Sequence, residues 1–298
     1  MNDLPSYSGG FTVVGGTRES PLESLREIWR FRPLIAELVR RDLKVRYKNR
    51  VGGVLWSLFT PLMSVLTIHL MVKFFVGAIA NYSVYLMPVM FLWQFFQSCV
   101  LDSANSMVVN ASLARKIYFP RAILALVTLL TNLLHFGVSL AFTVVYFFIP
   151  PVWDPTAKAL YPTHLHPHAV LVIPIVIFVG MLALGIGYLL AYSSTLYEDI
   201  RYVSVTLLGL FFYAIPVLYP IERVATRPDL YQIYMLNPLA SLLVGFQRLL
   251  LPPLDVKGTT PVQIPWNFIG IAALSSLAVL GVGFLIFERS KWMMMERL

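Results

Sequence analysis

Charged residues are scarce in this chain of 298 residues, making up 13% of the composition against 58% for apolar residues. Soluble globular proteins are about 25% charged and about 45–50% apolar. The imbalance excludes an ordinary soluble domain and indicates an integral membrane protein. Cysteine is nearly absent as well, and the single residue, Cys99, excludes an internal disulfide. We assign the net charge of +8 to membrane topology and not to nucleic-acid binding.

Motifs for catalysis and nucleotide binding are also missing. The chain has no P-loop, no His-Glu-x-x-His, no Gly-x-Ser-x-Gly and no paired-cysteine metal spacing. We therefore predict no catalytic residue, metal or cofactor on this chain. The best remaining candidate is HLHPH, where His164, His166 and His168 alternate and could converge on a metal ion. A solvated loop is the simpler interpretation.

Long apolar runs predict an all-α protein with six transmembrane helices. A spanning helix needs about 17–25 mostly apolar residues. Six windows satisfy this requirement: about 51–77, 84–106, 122–149, 169–196, 202–221 and 262–287. The domain prediction is a mobile tail at 1–20, a cytoplasmic amphipathic helix region at 21–50 and the six-helix domain at 51–298.

The distribution of positive charge predicts the orientation. Most of the 23 Lys and Arg residues fall on the side of the two termini, so both termini are predicted to be cytoplasmic. A further apolar stretch at 230–254 is broken at Asn237-Pro238, because proline interrupts a helix and disfavours helical geometry in the residue before it. We expect a re-entrant or interfacial helical hairpin there, on the outer side and before the last span.

The stretch 34–48, LIAELVRRDLKVRYK, has the pattern of an amphipathic helix. At about 100° per residue the polar arc consists of Glu37, Arg40, Arg41, Lys44 and Lys48. Only Asp42 and Arg46 intrude on the apolar side. The pattern is typical of a helix in the headgroup plane with its basic face toward anionic lipid. A basic flank that only fixes the orientation is the alternative.

A few polar side chains fall inside the predicted spans. Charge in hydrocarbon is costly, so depth decides how each is interpreted. Asp102, His69 and Lys73 fall near helix ends, where interface anchoring is sufficient. Asn132 and His135 share one helical face and are predicted to bond to a neighbouring helix.

Aromatic residues cluster within the spans or at their ends. The residues of interest are Trp56, Phe91, Trp93, Phe95, Phe211, Phe212, Tyr213 and Tyr219. Lipid contact and interfacial belts are one explanation. A conduit wall is the other, because aromatic faces pack against the apolar faces of sugar rings.

A short basic island, NASLARKIYFPRA at residues 110–122, separates two apolar runs. Its cations satisfy the positive-inside rule, as any short basic loop would. That rule does not require Tyr118, Phe119 and Pro120 between the cations, where apolar rings facing water need a pocket. We therefore expect a docking element, with Asn110 at its start and the cations Arg115, Lys116 and Arg121 around the rings.

Several of these pieces together resemble one family, the membrane subunits of ABC exporters for lipid-linked polysaccharides. The resemblance covers the chain from about residue 34 to the C-terminus. It is carried, in order, by RRDLKVRYKNRVGGVLWSLFTPL, NASLARKIYFPRAIL, YEDIRY, FFYAIPVLYP and LNPLASLLVGFQRLLL.

The resemblance implies a homodimer in the bacterial inner membrane. Two copies of a nucleotide-binding ATPase subunit would carry ATP and Mg²⁺, and a lipid-linked polysaccharide would be the substrate. Residues 110–121 would act as the ATPase-coupling element, and Asn237 and Pro238 would belong to an outer gate. Arg40, Arg41 and Lys44, with Lys48, would then meet the lipid phosphate.

Two other functions remain open from the sequence. A polytopic membrane enzyme acting on lipid-linked sugars would use the histidine cluster or Asp102. A related ABC permease for a drug or a lipid would share the coupling element and differ in the width of the conduit.

Overall fold

The computed structural model describes residues 21–47, 53–76, 82–148, 167–253, 258–290 and 293, and these residues form helices and their connections without a β-strand. The helices are α1 (Pro21–Arg30), α2 (Arg32–Tyr47), α3 (Gly53–Met71), α4 (Tyr82–Val109), α5 (Ala111–Lys116), α6 (Ala122–Phe148), α7 (Val172–Leu196), α8 (Asp199–Ala214), α9 (Ile221–Ala225), α10 (Pro228–Met235), α11 (Pro238–Leu250) and α12 (Trp266–Arg289). A π-helical turn, Val72–Val76, extends α3, and a 3-10 turn, Pro167–Leu171, precedes α7. The predicted all-α class is confirmed.

Five helical segments of the described chain are long and apolar enough to cross a membrane. They are Leu58–Phe75, Tyr82–Val109, Ala122–Phe147, His168–Leu196 and Trp266–Arg289. Each falls on one of the predicted windows. The number rises to six if α10 and α11, which meet at an angle of 101°, count as one broken span.

The predicted window at 202–221 is wrong at its carboxyl end. The helix there, α8, has 16 residues and stops at Ala214. Ile215 takes an extended conformation because Pro216 follows it and disfavours helical geometry in the preceding residue. At about 1.5 Å per residue, α8 is roughly 24 Å long, below the roughly 30 Å thickness of the hydrocarbon core.

Helix α4 lies at the centre of the bundle. It packs against α3, α6, α7, α8 and α11, and 78% of its apolar window is buried inside the chain. One end of α4 leads through Asn110 into α5, and its first turn, at the opposite end, contacts α11. We call these the α5 end and the hairpin end of the bundle.

Helices α7 and α12 approach each other most closely at glycines. An added Cβ at Gly185 would lie 2.6 Å from the backbone oxygen of Val279, and one at Gly283 would meet the backbone oxygen of Gly185. Gly187 lies similarly close to Ser103 of α4. Small residues allow backbones to approach in this way, which is how helices associate where lipid removes the hydrophobic driving force.

The apolar side of α2 packs against the helical bundle. Leu38 and Val39 are buried in a core cluster with Met107, Phe119 and Ile123, at the α5 end of the bundle. The polar arc, including Arg40 and Arg41, is the exposed side. Helix α1 is attached nearby, because the hydroxyl of Ser24 donates a hydrogen bond to Glu288 at the end of α12. The two N-terminal helices therefore cover one end of the bundle.

The bent hairpin, which we define as α10 and α11, lies at the opposite end. Asn237 caps α11, since its side-chain oxygen accepts hydrogen bonds from the backbone of Leu239 at 3.1 Å and Ala240 at 3.5 Å. Pro238 occupies the first helical turn, where its missing N–H costs nothing. The same Asn-Pro pair thus ends one helix and starts the next. Every residue of α11 from Leu239 to Leu250 is buried.

Candidate functional site

The segment 110–121 begins with a buried anchor. The side chain of Asn110 donates to the backbone oxygen of Ser106 at 2.9 Å and accepts from the guanidinium of Arg41 at 2.8 Å. Because Asn110 is buried, it fixes the start of α5 against α4 and α2. It has no surface to offer a docking partner.

Beyond α5 the segment exposes both basic and apolar side chains. Arg115 and Lys116 are exposed, and Ile117 and Tyr118 are 51% and 76% exposed. Ile117 was not expected to take part. Its extended conformation at the end of α5 turns the chain and brings it to the surface beside Tyr118.

The expectation for Phe119 is corrected. Its ring is 5% exposed and belongs to the core cluster beneath α2, so it is covered by this chain and not by a partner. Pro120 and Arg121 are partly buried beside it. One guanidinium nitrogen of Arg121, Nη1, is buried and makes no hydrogen bond within the described residues. Burial also lowers the pKa of Arg121.

A second polar cluster joins α2 to the spans. Arg46 donates to Asn132 at 2.9 Å and to Asp102 at 3.1 Å, and Asn132 donates to the same Asp102 oxygen at 2.8 Å. Next to it, the hydroxyl of Tyr47 lies 2.9 Å from Nδ1 of His135. Burial raises the pKa of Tyr47, so the hydroxyl stays protonated at neutral pH.

This cluster explains residues that the sequence left as exceptions. Arg46 intrudes on the apolar side of α2 because it reaches an acid in α4, and Asp102 is an ion-pair partner rather than only an interface anchor. The predicted bonding of Asn132 and His135 to a neighbouring helix is confirmed: both bond to α2, and Asn132 also bonds to α4.

We expect Asp102→Ala to loosen α2 from the bundle. Hydrogen bonds to charged groups are worth about 1.5–3 kcal/mol, and partial exposure of Arg46 and Asp102 places the loss near about 1.5 kcal/mol. The measurement is a double-mutant cycle with Arg46→Ala, followed by thermal unfolding in detergent and by hydrogen exchange in α2.

The matched control for that cycle is the exposed pair between Arg40 and Glu37, 3.0 Å apart on the same helix. Its coupling should be below about 0.5 kcal/mol, as for other exposed pairs. Equal coupling energies for the two pairs would contradict a specific role for Asp102.

An open cleft runs between α3, α4 and α8. It is lined by Thr60, Pro61, Ser64, Met90, Trp93, Gln94, Gln97, Thr206, Gly209, Leu210, Phe212 and Tyr213. The amides of Gln94 and Gln97 make no side-chain hydrogen bond within the described chain, so both can bind a ligand or water. The cleft thus presents hydroxyl and amide groups together with aromatic rings.

The predicted conduit aromatics differ in their positions relative to the cleft. Phe212 and Tyr213 expose ring surface to the cleft. Trp93 belongs to the lining but is only 4% exposed, and its ring lies 5.7 Å from that of Phe212. Phe211 packs behind them on Trp93. Trp56 is exposed on α3.

The remaining rings do not line the cleft. Phe91 and Phe95 are buried between α4 and α6, which corrects their assignment to a conduit wall. The hydroxyl of Tyr219 bonds to Tyr234, which ties the chain after α8 to the hairpin.

The histidine cluster is only partly within the described residues. His168 is exposed in the turn before α7, while His164 and His166, like Lys48 of the basic arc, lie outside the described ranges. Among the residues that the structure describes, no group of three or more His, Cys, Asp or Glu side chains could hold a metal ion.

Comparison with known proteins places this chain in a family. A family model described as ABC-2 type transporter matches residues 33–251, from the start of α2 to the end of α11. The chain belongs to the ABC-2 type transporter family. It is therefore the membrane subunit of a transporter and not an enzyme, and the family implies a partner ATPase.

Curated relatives of this ABC-2 permease cover most of its length. An O-antigen export system permease protein RfbA of Klebsiella pneumoniae is 28% identical over 265 residues, which are 88% of this chain and 94% of that protein. The protein of the same name from Myxococcus xanthus is 28% identical over 227 residues, 76% of this chain and 83% of that protein.

Proposed function

We propose that this ABC-2 permease exports a lipid-linked polysaccharide across the bacterial inner membrane. The observation that carries the proposal is the cleft between α3, α4 and α8. It combines the amides of Gln94 and Gln97, which make no side-chain hydrogen bond within the described residues, with ring faces at Phe212 and Tyr213. Sugars need both kinds of contact, because hydroxyl groups pair with amides and apolar ring faces pack on aromatic rings. The names of the relatives support the same class of substrate.

The conduit is assigned to a homodimer. Six crossings in one chain are few to enclose a hydrated polymer, and the cleft is open on one side. A second copy facing the cleft would close it. Helix α8 supplies the fifth crossing in this proposal; its short length is accommodated by local thinning of the bilayer.

Two copies of the ATPase subunit, which bind ATP and Mg²⁺, are proposed to dock at the α5 end, which is cytoplasmic together with both termini. Their contact surface is Arg115, Lys116, Ile117 and Tyr118. Asn110, Phe119, Pro120 and Arg121 hold this surface on the bundle from within. Closure of the ATPase subunits would then move α5. This movement would pass to α4, because α4 leads directly into α5 through Asn110.

The lipid-phosphate end of the substrate is proposed to meet the basic arc of α2. Within the described residues, Arg40 pairs with Glu37, and Arg41 pairs with Asp42 and Asn110. Lys44 is exposed and makes no such pair within the part of the chain that the structure describes. Lys44 is thus the described cation best placed to pair with phosphate, next to Lys48 in the sequence pattern. Asn237 and Pro238 belong to the outer gate.

The experiment fills the cleft. An added Cβ at Gly209 meets no atom within 4 Å, so Gly209→Trp places an indole in the cleft without disturbing the backbone. Cells that lack this chain should lose surface polysaccharide and accumulate the lipid-linked polymer inside. Wild-type chain should restore export, and Gly209→Trp should not, although it reaches the membrane and binds its ATPase.

The matched control is Gly270→Trp in α12, where an added Cβ also meets no atom within 4 Å and which is not among the residues lining the cleft. It should export like wild type. Unchanged surface polysaccharide in the deletion strain would contradict the proposed function. Normal export by Gly209→Trp would contradict the cleft as the conduit.

A further inference from the structure

The first turn of α4 is held by two consecutive side chains of α11. Gln247 donates from Nε2 to the backbone oxygen of Tyr85 at 3.0 Å. The guanidinium carbon of Arg248 lies 5.5 Å from the centre of the Tyr85 ring, with Nη2 at 3.5 Å from its hydroxyl. All three residues are buried. Helix α11 therefore grips α4 at one point, through both the backbone and the ring of Tyr85.

Arg248 is neutralised by Glu222 of α9, and both side chains are almost completely buried, at 1% and 0% exposed. An apolar pair of the same volume would usually be as stable, because two buried charges lose their hydration. The pair is also incompletely bonded. Oε2 of Glu222 and Nε and Nη1 of Arg248 are buried without a hydrogen bond within the described residues. Stability alone does not account for such an arrangement.

Helix α4 connects this contact to the segment 110–121. It has 28 residues from Tyr82 to Val109, which at about 1.5 Å per residue is roughly 42 Å. Pro88 lies one turn after Tyr85, and its missing N–H makes that turn a point of bending. Without Gln247 and Arg248, the first turn of α4 could bend away from α11 at Pro88. Movement of α4 would then not reach the hairpin.

We propose that Glu222, Gln247 and Arg248 are positioning residues that fix the hairpin to α4, so that movement of segment 110–121 reaches the opposite face of the membrane. This inference rests on the proposed function, because it takes that segment as the ATPase contact. The buried charges are then kept for the position that they define and not for stability.

The test uses the full permease with its ATPase subunit in lipid nanodiscs. Cys99 is the only cysteine and is fully buried, so Cys99→Ala gives a background for a single probe at Ile233→Cys, an exposed position of α10. The labelling rate with a fluorescent maleimide is measured without nucleotide and with ATP plus vanadate. ATP hydrolysis is measured in the same samples.

In the background protein, nucleotide should change the labelling rate. Glu222→Leu combined with Arg248→Met removes both charges, keeps the volume and should fold. We expect this variant to stimulate ATP hydrolysis normally and to lose the nucleotide-dependent difference in labelling. Ser241→Ala is the matched control, since it removes a buried hydrogen bond within the hairpin, to Met235, without touching Tyr85. It should keep the difference.

Two results would overturn the inference. One is a background protein that stimulates ATP hydrolysis and labels equally with and without nucleotide. The other is a double variant that keeps the difference. If the double variant does not fold, Gln247→Leu removes one hydrogen bond and no charge, and an undiminished difference there is equally decisive. Failure of any ATPase subunit to bind the wild-type chain would instead contradict the proposed function.

Discussion

Exchanging Arg115 and Lys116 together for Glu is expected to abolish the stimulation of ATP hydrolysis that the permease gives its ATPase subunit. Both side chains are exposed on α5, and neither takes part in a salt bridge within the described chain. The exchange therefore leaves the fold intact. It reverses the charge of the surface that we assign to docking, and like charges facing each other across an interface cost several kcal/mol.

The size of the effect follows from that cost. A loss of about 3 kcal/mol corresponds to an affinity roughly 100-fold weaker, since each 1.4 kcal/mol or so is tenfold. The measurement is a titration of the ATPase subunit onto permease in nanodiscs, with the rate of ATP hydrolysis as readout. Higher salt should weaken wild-type binding, because exposed charges are screened. Stimulation at wild-type affinity by the double variant would exclude docking through α5.

The chain offers a matched control at the same end of the bundle. Arg26 and Arg30 are exposed on α1, which is attached there through Ser24 and Glu288. Exchanging both for Glu produces the same change in net charge. Stimulation should then stay close to wild type. An equal loss in both double variants would indicate a general effect of charge and not a docking surface.

Substitutions of two neighbouring aromatic residues distinguish a role in docking from a role in folding. Tyr118→Ala should weaken ATPase binding and leave the melting temperature unchanged, because the ring is exposed. Phe119→Ala should do the reverse, since its ring is buried beneath α2, and removing a core Phe costs about 3–5 kcal/mol. From the sequence both rings are assigned to docking, and only their burial in the structure distinguishes them.

Much of the fold could be predicted from the sequence because the membrane reduces the problem to length and hydropathy. Five helical segments fall on predicted windows, since a run of about 20 apolar residues has few other stable outcomes. The end of α8 also has a local signal in the sequence, because Pro216 disfavours helical geometry at Ile215. The break between α10 and α11 follows from Asn237-Pro238 in the sequence because capping and proline act locally.

The rest depends on contacts between distant residues. Phe119 is buried because α2 folds over it, and no local pattern distinguishes a covered ring from an exposed one. Arg46 finds Asp102 and Asn132, which are 56 and 86 residues further along the chain. The pair of Glu222 and Arg248 was missed for the same reason. The sequence offers one signal for each of these contacts. Arg46 is a basic residue on the apolar face of α2, and Arg248 interrupts an apolar run in the hairpin.

Replacing Gly185 by Leu is expected to prevent the permease from folding. An added Cβ there would lie 2.6 Å from the oxygen of Val279 and 2.7 Å from the nitrogen of Leu280. Both atoms belong to the backbone of α12, so no side chain can move aside. Separating α7 from α12 would also break the contact between Gly185 and Gly283, on which the close packing of the two helices depends.

Smaller substitutions at the same point should give a graded loss. Gly185→Ala already forces the helices apart, and overpacking of this kind costs about 1–3 kcal/mol. The measurement is the melting temperature and the yield of monodisperse protein in detergent. The matched control is Gly281→Leu, two residues from Gly283 on α12, where an added Cβ meets no atom within 4 Å. It should keep a wild-type melting temperature, because its side chain points away from α7. If Gly185→Leu and Gly281→Leu were equally stable, the backbones of α7 and α12 could not be in contact at Gly185.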